Sequence, residues 1–567
     1  MSDIYLNLDG AKEMTYDAIV VGSGISGGWA AKELTEKGLK VLMLERGGDY
    51  KHIKDYDDRS AFEREHKGKP TFEDSDKRSD IINWMLNEQT AKSWVDETKE
   101  GKYTEVKPFR WVRAYRLGGR STLWGRQSYR WSDLDFEANA KDGIAVDWPI
   151  RYKDLAPWYD HVEKFAGISG SMEGLSHLPD GQFQPPMPLN IVEKSAKKSI
   201  ESKFENRKMI IGRVANLTQP LPGRVNCQFR NRCWEGCHFG GYFSTQSSTL
   251  PAAAATGNLS VVVNALVKRV VYDKDTKKAT GVEVIDTATN QSYIYNSKLV
   301  FICASALNSA WVLMNSATDV WHNGLGSSSG ELGHNVMDHH YNIGATGTIP
   351  GFEEYGEYGR RPNGFYIPRF ANYGNDTRSA YKRGFGYQGE AYRTDWSRGA
   401  NMKGIGPDFM DQISKPGPWE MRMTAFGEVL PDHKNKIFLD ATVKDHWGLP
   451  VLSMDCEMQA NELAMRKDMM QESVNMLEAS GATNIHTYDG GHQIGHGIHE
   501  MGPARMGRDP KTSVLNGNNQ VWDALNVFVT DGACMTSSSC VNPSLTYMAL
   551  TARAVNFAVE ELKKQNL

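Results

Sequence analysis

A chain of 567 residues with 40% hydrophobic and 24% charged residues has the make-up of an ordinary globular protein, long enough for up to three or four domain-sized units. A net charge of −4 with no lysine/arginine block gives no footing for nucleic acid, and no apolar run approaches the roughly 18 residues of a membrane span. Seven cysteines are too few for a disulfide framework.

The first dozen residues, MSDIYLNLDGAK, are polar and lack the basic-then-apolar pattern of a secretion signal, so the chain read alone stays in the cytoplasm. Tyr16 to Gly22 reads as a short buried strand running into Gly22-Ser-Gly24-Ile-Ser-Gly27 and then a helix from Gly28 to Lys37. A second strand, Lys40 to Glu45, ends on an acid followed by Arg46. Gly22 permits the tight turn, Gly24 lets backbone approach a pyrophosphate, and Gly27 lets helix and strand pack closely. Free N–H groups at the helix start attract the phosphate charge. Glu45 lies 21 residues after Gly24, where a carboxylate accepts from ribose hydroxyls and repels a 2′-phosphate. FAD or NAD is therefore favoured over NADP. The glycine motif alone is weak; its flanking strand, helix and acid make dinucleotide binding the expectation.

Residues 50 to 105 carry charged runs, Lys51 to Arg59 and Asp74 to Asp80, and are expected to form a solvated excursion serving as a lid or subunit contact. The second glycine cluster, Arg116-Leu-Gly118-Gly119-Arg120-Ser121-Thr122-Leu123-Trp124-Gly125, is either a tight surface turn or backbone passing close to a flat ring system. Cys227, Cys233 and Cys237 follow in a glycine-flanked loop, where Arg224, Arg230 and Arg232 would stabilise thiolates. A disulfide with one free thiol, a zinc site strained by using the adjacent His238, and an iron–sulfur cluster are the three readings. The spacing departs from common ferredoxin patterns and has no obvious fourth cysteine. Cys303, Cys456, Cys534 and Cys540 lie in apolar contexts and read as inert core thiols.

Toward the C-terminus, Val527 to Thr530 is a strand ending on Asp531, and a helix runs from about Ser544 to Lys564. The runs His496-Gly-Ile-His499-Glu-Met-Gly-Pro and Val541-Asn542-Pro543 place an imidazole and an amide in turn-rich loops. Catalytic loops commonly sit at the carboxyl ends of strands in open α/β sheets. The alternative is a satisfied core histidine.

These stations resemble the glucose–methanol–choline (GMC) oxidoreductases, which use FAD to oxidise alcohols. Leu299 to Ser309 and Leu332 to His339 match further segments of that family, and the resemblance covers nearly the whole chain. It implies an α/β fold with a Rossmann-like FAD-binding domain and a discontinuous substrate domain on an antiparallel sheet. The expected division is 1–150, 205–345 and 490–567 for FAD, with 151–204 and 346–489 for substrate. Phe426 to Pro431 and Lys436 to Asp440 would both lie in the substrate sheet. His499 matches the family's catalytic histidine, Asn542 its second catalytic position, and Asp531 a residue near the flavin. Gly118, Gly119, Ser121 and Thr122 join Gly22, Gly24, Gly27, Glu45, Arg46, Asp531 and Asn542 as the cofactor set. Relatives that attach FAD covalently use a histidine where this chain has Leu123, which implies noncovalent FAD.

The cysteine loop is similar to that of bacterial multi-subunit sugar dehydrogenases of the family, which implies a [3Fe-4S] cluster on Cys227, Cys233 and Cys237. From the same resemblance follow a sugar or glycoside substrate and a cytochrome c-type acceptor. A small chaperone-like subunit would export the folded protein to the periplasm; without it the chain stays cytoplasmic. Oxidation at C3 of a glucoside is favoured over glucose C1 or gluconate/polyol oxidation. His499 would take the hydroxyl proton while hydride passes to the flavin, a contribution of about 10²–10⁴ in rate. A flavin-containing lyase and a non-catalytic assembly subunit are the rivals from other classes.

Overall fold

The computed structural model describes residues 4–6, 11, 16–77, 85–357 and 359–567. Most of the first dozen residues, and residues 78–80 of the second charged run, lie outside it.

Its central sheet has five parallel strands in the order Ala524–Val529, Ser292–Ile302, Tyr16–Val21, Val41–Leu44 and Leu259–Val262. Four of these have a continuous apolar run at their carboxyl end, as expected of strands covered on both faces. Helices Ile25–Glu36 and Ser544–Lys563 cover one face together, and Tyr152–Ala166 packs on the latter through a Tyr159–Thr546 hydroxyl bond of 2.7 Å. Ala265–Asp273, Lys278–Asp286 and Ser292–Ile302 form an antiparallel meander that shares its last strand with the parallel sheet.

Register decides where the chemistry falls. Val21 pairs with both Leu44 and Ile302, and Ile302 pairs with Val529. Gly22, Glu45, Cys303 and Thr530 therefore leave the sheet along one edge, although they are spread over more than 500 residues of chain.

A second, antiparallel sheet runs Thr483–Asp489, Ile343–Ile349, Trp419–Gly427, Phe385–Arg393, Phe365–Ile367 and Ile210–Ile211. Strand alternation sends Tyr387, Met421, Met423 and Ala425 into a core against helices Ile191–Lys203 and Ala460–Ala479. It sends Gln388, Glu390, Arg422 and Thr424 to the opposite face, where they line the large cavity described below.

Two expectations are corrected. Lys436–Lys444 does not continue the substrate sheet; it pairs with Pro450–Asp455 and, through it, with Thr104–Glu105. Pro431 cannot donate to a ladder, and the turn closed by Asn435 N–H on Asp432 carries the chain away. The 50–105 excursion is not simply solvated. Arg64 is fully buried and bonds Glu235 of the cysteine loop at 2.8 Å, while Met85, Leu86 and Trp94 form a small core with Val112 and Leu123. Among the described residues no helix is long and apolar enough to cross a membrane.

Candidate active site

One cavity of about 790 Å³ runs along the carboxyl edge of the parallel sheet to the face of the antiparallel one. Its volume falls within the roughly 300–1,000 Å³ of small-molecule and cofactor sites. Of the expected residues, Gly22, Gly24, Glu45, Arg46, Gly119, Ser121, His499, Asp531 and Asn542 line it. Gly27, Gly118 and Thr122 stand behind the wall.

The nucleotide end has the form a dinucleotide requires. Gly22 has φ +92°, and a Cβ there would press on the Cys303 carbonyl; a Cβ on Gly27 would strike the Gly22 carbonyl. Nothing lies within 4 Å of where a Gly24 Cβ would point, so that surface is open to a phosphate. The second glycine cluster abuts the first: Gly118 N–H donates to Ser23 Oγ at 2.9 Å, and a Cβ on Gly119 would lie 3.3 Å from Gly24 Cα. Glu45 is buried, accepts from Ser23 N–H at 3.1 Å and Gly47 N–H at 2.8 Å, and burial raises its pKa. The Ser23 hydroxyl donates to the same oxygen as Ser23 N–H, so the oxygen bonded by Gly47 N–H, which can accept a second bond, keeps capacity for a ribose hydroxyl. Arg46 stacks on Tyr115 at 4.2 Å. Leu123, where covalent relatives would carry histidine, lines the cavity with an apolar surface.

At the other end a buried carboxylate positions the histidine loop. Asp338 accepts from the N–H groups of Gly495 (2.8 Å), Gly497 (2.8 Å) and His499 (2.9 Å). Burial, and then the charge of Glu500, push Asp338 up to about 7 despite those bonds. Glu500 is itself buried and ion-paired to Arg120 at 2.9 Å, while Arg120 also donates to Ser305 Oγ at 2.8 Å. Asp531 accepts from Ser309 Oγ at 2.5 Å and Ala533 N–H at 3.0 Å, and burial lifts it to about 6.

The His499 and His339 Nδ1 atoms lie 2.9 Å apart. Asn542 is oriented by Gln388, whose amide donates to Asn542 Oδ1 at 2.5 Å and leaves the Asn542 amide hydrogens for another acceptor. Asp338 and His339 end the Leu332 to His339 segment, whose sequence pattern assigned neither a role. Gln388 had no signal at all beyond its place on an alternating strand.

Burial, His339 and Arg120 hold the His499 pKa well below 6.5. A general base works in its neutral form, whose fraction rises with pH through the pKa. The acid limb of substrate-driven flavin reduction is therefore expected well below pH 6.5. An inflection near 7 would belong to Asp338 and should vanish in Asp338→Asn. A limb at 6.5 that survives this substitution, read by stopped-flow, contradicts the assignment.

All seven cysteines are free, which removes the disulfide reading. Cys227, Cys233 and Cys237 line one small cavity of about 30 Å³, which shares Asn231, Cys233, Arg360 and Pro362 with the large one. Among the described residues, however, no group of three or more His, Cys, Asp or Glu is arranged to hold a metal ion. The expected arginine support is also corrected for two of the three. Arg230 pairs with Asp58, and Arg232 with Glu235 of its own loop and with the carbonyls of residues 57–59 of the excursion. Arg224 donates to the Gly240 and Ala166 carbonyls, and its charge also couples to Cys237, so it alone of the three keeps the expected relation to a thiol. Burial lifts the Cys227 thiol to about 11, and the neighbouring cysteines add to this. His238 turns to Asp58 at 3.2 Å, leaving the zinc reading no geometric support.

A glycine-turned parallel sheet, with an acid on its second strand and a histidine across the same cavity, defines a dinucleotide-dependent oxidoreductase. Residues 16–341 and 431–551 match the N- and C-terminal parts of the GMC oxidoreductase family. The chain belongs to that family and is an FAD-dependent oxidoreductase acting on CH–OH donors. It is 27% identical to 2-methyl-1,2-propanediol dehydrogenase of Mycolicibacterium austroafricanum, over 95% of this chain and 94% of that one. It is 25% identical to the fructose dehydrogenase large subunit of Gluconobacter japonicus (97% and 99%) and 26% identical to the gluconate 2-dehydrogenase flavoprotein of Pantoea cypripedii (94% and 92%). Its fold is similar to that of pyridoxine 4-oxidase from Mesorbium loti, with a TM-score of 0.57 over 96% of this chain and 99% of that one, at 14% identity.

Proposed function

We propose that the protein is a dehydrogenase that oxidises a secondary hydroxyl of a pyranose or glycoside, with C3 of a glucoside the favoured position. The observation that carries this reading is the single cavity joining the glycine turn at Gly22 and Gly24 to His499 and Asn542. FAD, when bound noncovalently by the residues at the nucleotide end, supplies the hydride acceptor. His499 takes the hydroxyl proton. Asn542, held by Gln388, donates to the same oxygen without competing for that proton. Tyr341 and Phe426 give the cavity an aromatic edge, and Gln388, Glu390, Arg422 and Thr424 give it a polar wall, a combination suited to a polyhydroxylated ring.

The relatives named as fructose and gluconate dehydrogenases support a sugar or sugar acid, and the one named for a propanediol supports a smaller polyol. Oxidation of glucose at C1, or of gluconate or a polyol, is therefore the second reading. Anaerobic bleaching of the flavin by methyl glucoside, followed by NMR of the product, tests the proposal. Bleaching with a C3 ketone supports it. A C1 lactone moves the reaction to the second reading, and unbleached flavin with every sugar overturns the sugar reading and leaves a smaller polyol as the donor. Flavin that stays on the chain after acid denaturation would overturn noncovalent binding.

In this reading Cys227, Cys233 and Cys237 would hold a [3Fe-4S] cluster, which would supply one-electron transfer to a cytochrome c-type acceptor. Three thiols around one cavity, with Cys233 on the wall of the flavin cavity, support this; loading would have to draw the thiols together. Cys233→Ser is expected to leave flavin reduction by substrate unchanged and to cut reduction of cytochrome c by at least about tenfold. Equal loss of both rates would make the loop structural. Relatives named as a large subunit and a flavoprotein support partner subunits; that one of them is small and exports the loaded protein is part of the same proposal.

A further inference from the structure

Two imidazoles meet at the catalytic end of the cavity through their Nδ1 atoms, 2.9 Å apart, with ring planes at 80°. One of the two nitrogens must carry the hydrogen. The second ring nitrogen of His339, Nε2, lies 2.9 Å from the backbone carbonyl of Ser538. A carbonyl only accepts, so His339 Nε2 holds a hydrogen. His339 is 1% exposed. Of the charged groups around the pair, Asp338 is taken up by three backbone N–H groups and Glu500 by Arg120, so neither presents a carboxylate to His339. Burial then holds His339 neutral, with its pKa near 4. A neutral imidazole with hydrogen on Nε2 has only a lone pair on Nδ1.

We infer that His339 is a positioning residue that sets the tautomer of His499: it accepts the His499 Nδ1 hydrogen and thereby leaves the His499 Nε2 lone pair as the proton acceptor in the cavity. This deepens the proposed function and rests on its reading of His499 as the base. The opposite tautomer would put a hydrogen on Nε2 and remove that acceptor. The choice of partner matters. A carboxylate behind His499 would raise its basicity, whereas a neutral imidazole fixes the ring and leaves it a weak base. A weak base takes the hydroxyl proton only as hydride departs, so little free alkoxide forms.

The test is the tautomer itself, read by ¹⁵N NMR of the histidine-labelled holoenzyme, with the His499 signals assigned by their loss in His499→Ala. The expected wild-type state is Nδ1–H on His499 and Nε2–H on His339. Finding His499 as the Nε2–H tautomer overturns the inference on the unmutated protein, whatever the variants do. His339→Leu removes the acceptor and is expected to slow flavin reduction by about 10²–10⁴-fold with KM little changed. His339→Asn, which keeps an acceptor oxygen, should restore most of that rate. Wild-type reduction by His339→Leu would also overturn it. Normal flavin reduction by His499→Ala would instead remove the base assignment, while the tautomer measurement would still stand.

Discussion

His499→Ala is expected to bind FAD with unchanged affinity and to be reduced by substrate roughly 10²–10⁴-fold more slowly, the usual worth of a positioned base. At about 1.4 kcal/mol per decade this is about 3–5 kcal/mol of transition-state stabilisation. Affinity is spared because His499 is not among the residues that would hold the nucleotide, which run from Gly22 to Glu45 along the same cavity. Alanine keeps the backbone N–H that bonds Asp338, so the loop geometry also survives. The result is read as a flavin absorbance that is normal in the resting protein and bleaches slowly on mixing. Reduction within a few-fold of wild type would remove His499 from the base role and, with it, the proposed division of labour with Asn542.

Asp338→Ala is expected to act on stability and rate together. The carboxylate satisfies three backbone N–H groups in a loop that no water reaches readily, and each orphaned buried donor costs about 1–3 kcal/mol. Partial relaxation keeps the sum below simple addition, so a loss of roughly 3–5 kcal/mol is expected. The same loop carries His499, and its release should lower the flavin-reduction rate by at least about tenfold as the near-attack geometry loosens. Denaturant unfolding and stopped-flow reduction measure the two effects separately. A stable variant with an unaltered rate would show that Asp338 is dispensable for holding the loop. Asp338→Asn keeps one acceptor oxygen and should fall between the two.

The parts of this site readable in sequence share one property: each is carried by a few neighbouring residues. A glycine turn between strand and helix, an acid closing the next strand, and a histidine in a turn-rich run are local patterns, and the structure has the corresponding elements at Tyr16–Val21, Ile25–Glu36, Val41–Leu44 and Ala524–Val529. What pairs with what across the chain was not legible. Asp338 reaches a loop more than 150 residues away, Gln388 reaches Asn542 over 154 residues, and Arg120 reaches Glu500 over 380. No periodicity records such partnerships. The misplacement of Lys436–Lys444 has a related cause, since alternation marks a strand but not the sheet it joins, and only Pro431 hinted at the break. The arginines near the cysteines misled for the opposite reason. Their proximity in sequence was real, but acceptors from the 57–59 segment, some 170 residues earlier, hold Arg230 and Arg232.

The interleaving of the parallel sheet bears on how the protein is made. Its strand Ala524–Val529 must slot beside Ser292–Ile302, which already borders Tyr16–Val21, so the cavity has no far wall until the last tenth of the chain has emerged. At about 5–20 residues per second, synthesis of the whole takes roughly half a minute to two minutes. Throughout that interval the flavin has nothing complete to enter. Cofactor capture thus waits for the strand Ala524–Val529, and nascent chains stalled or clipped before residue 520 should be colourless however well their amino-terminal glycines have folded.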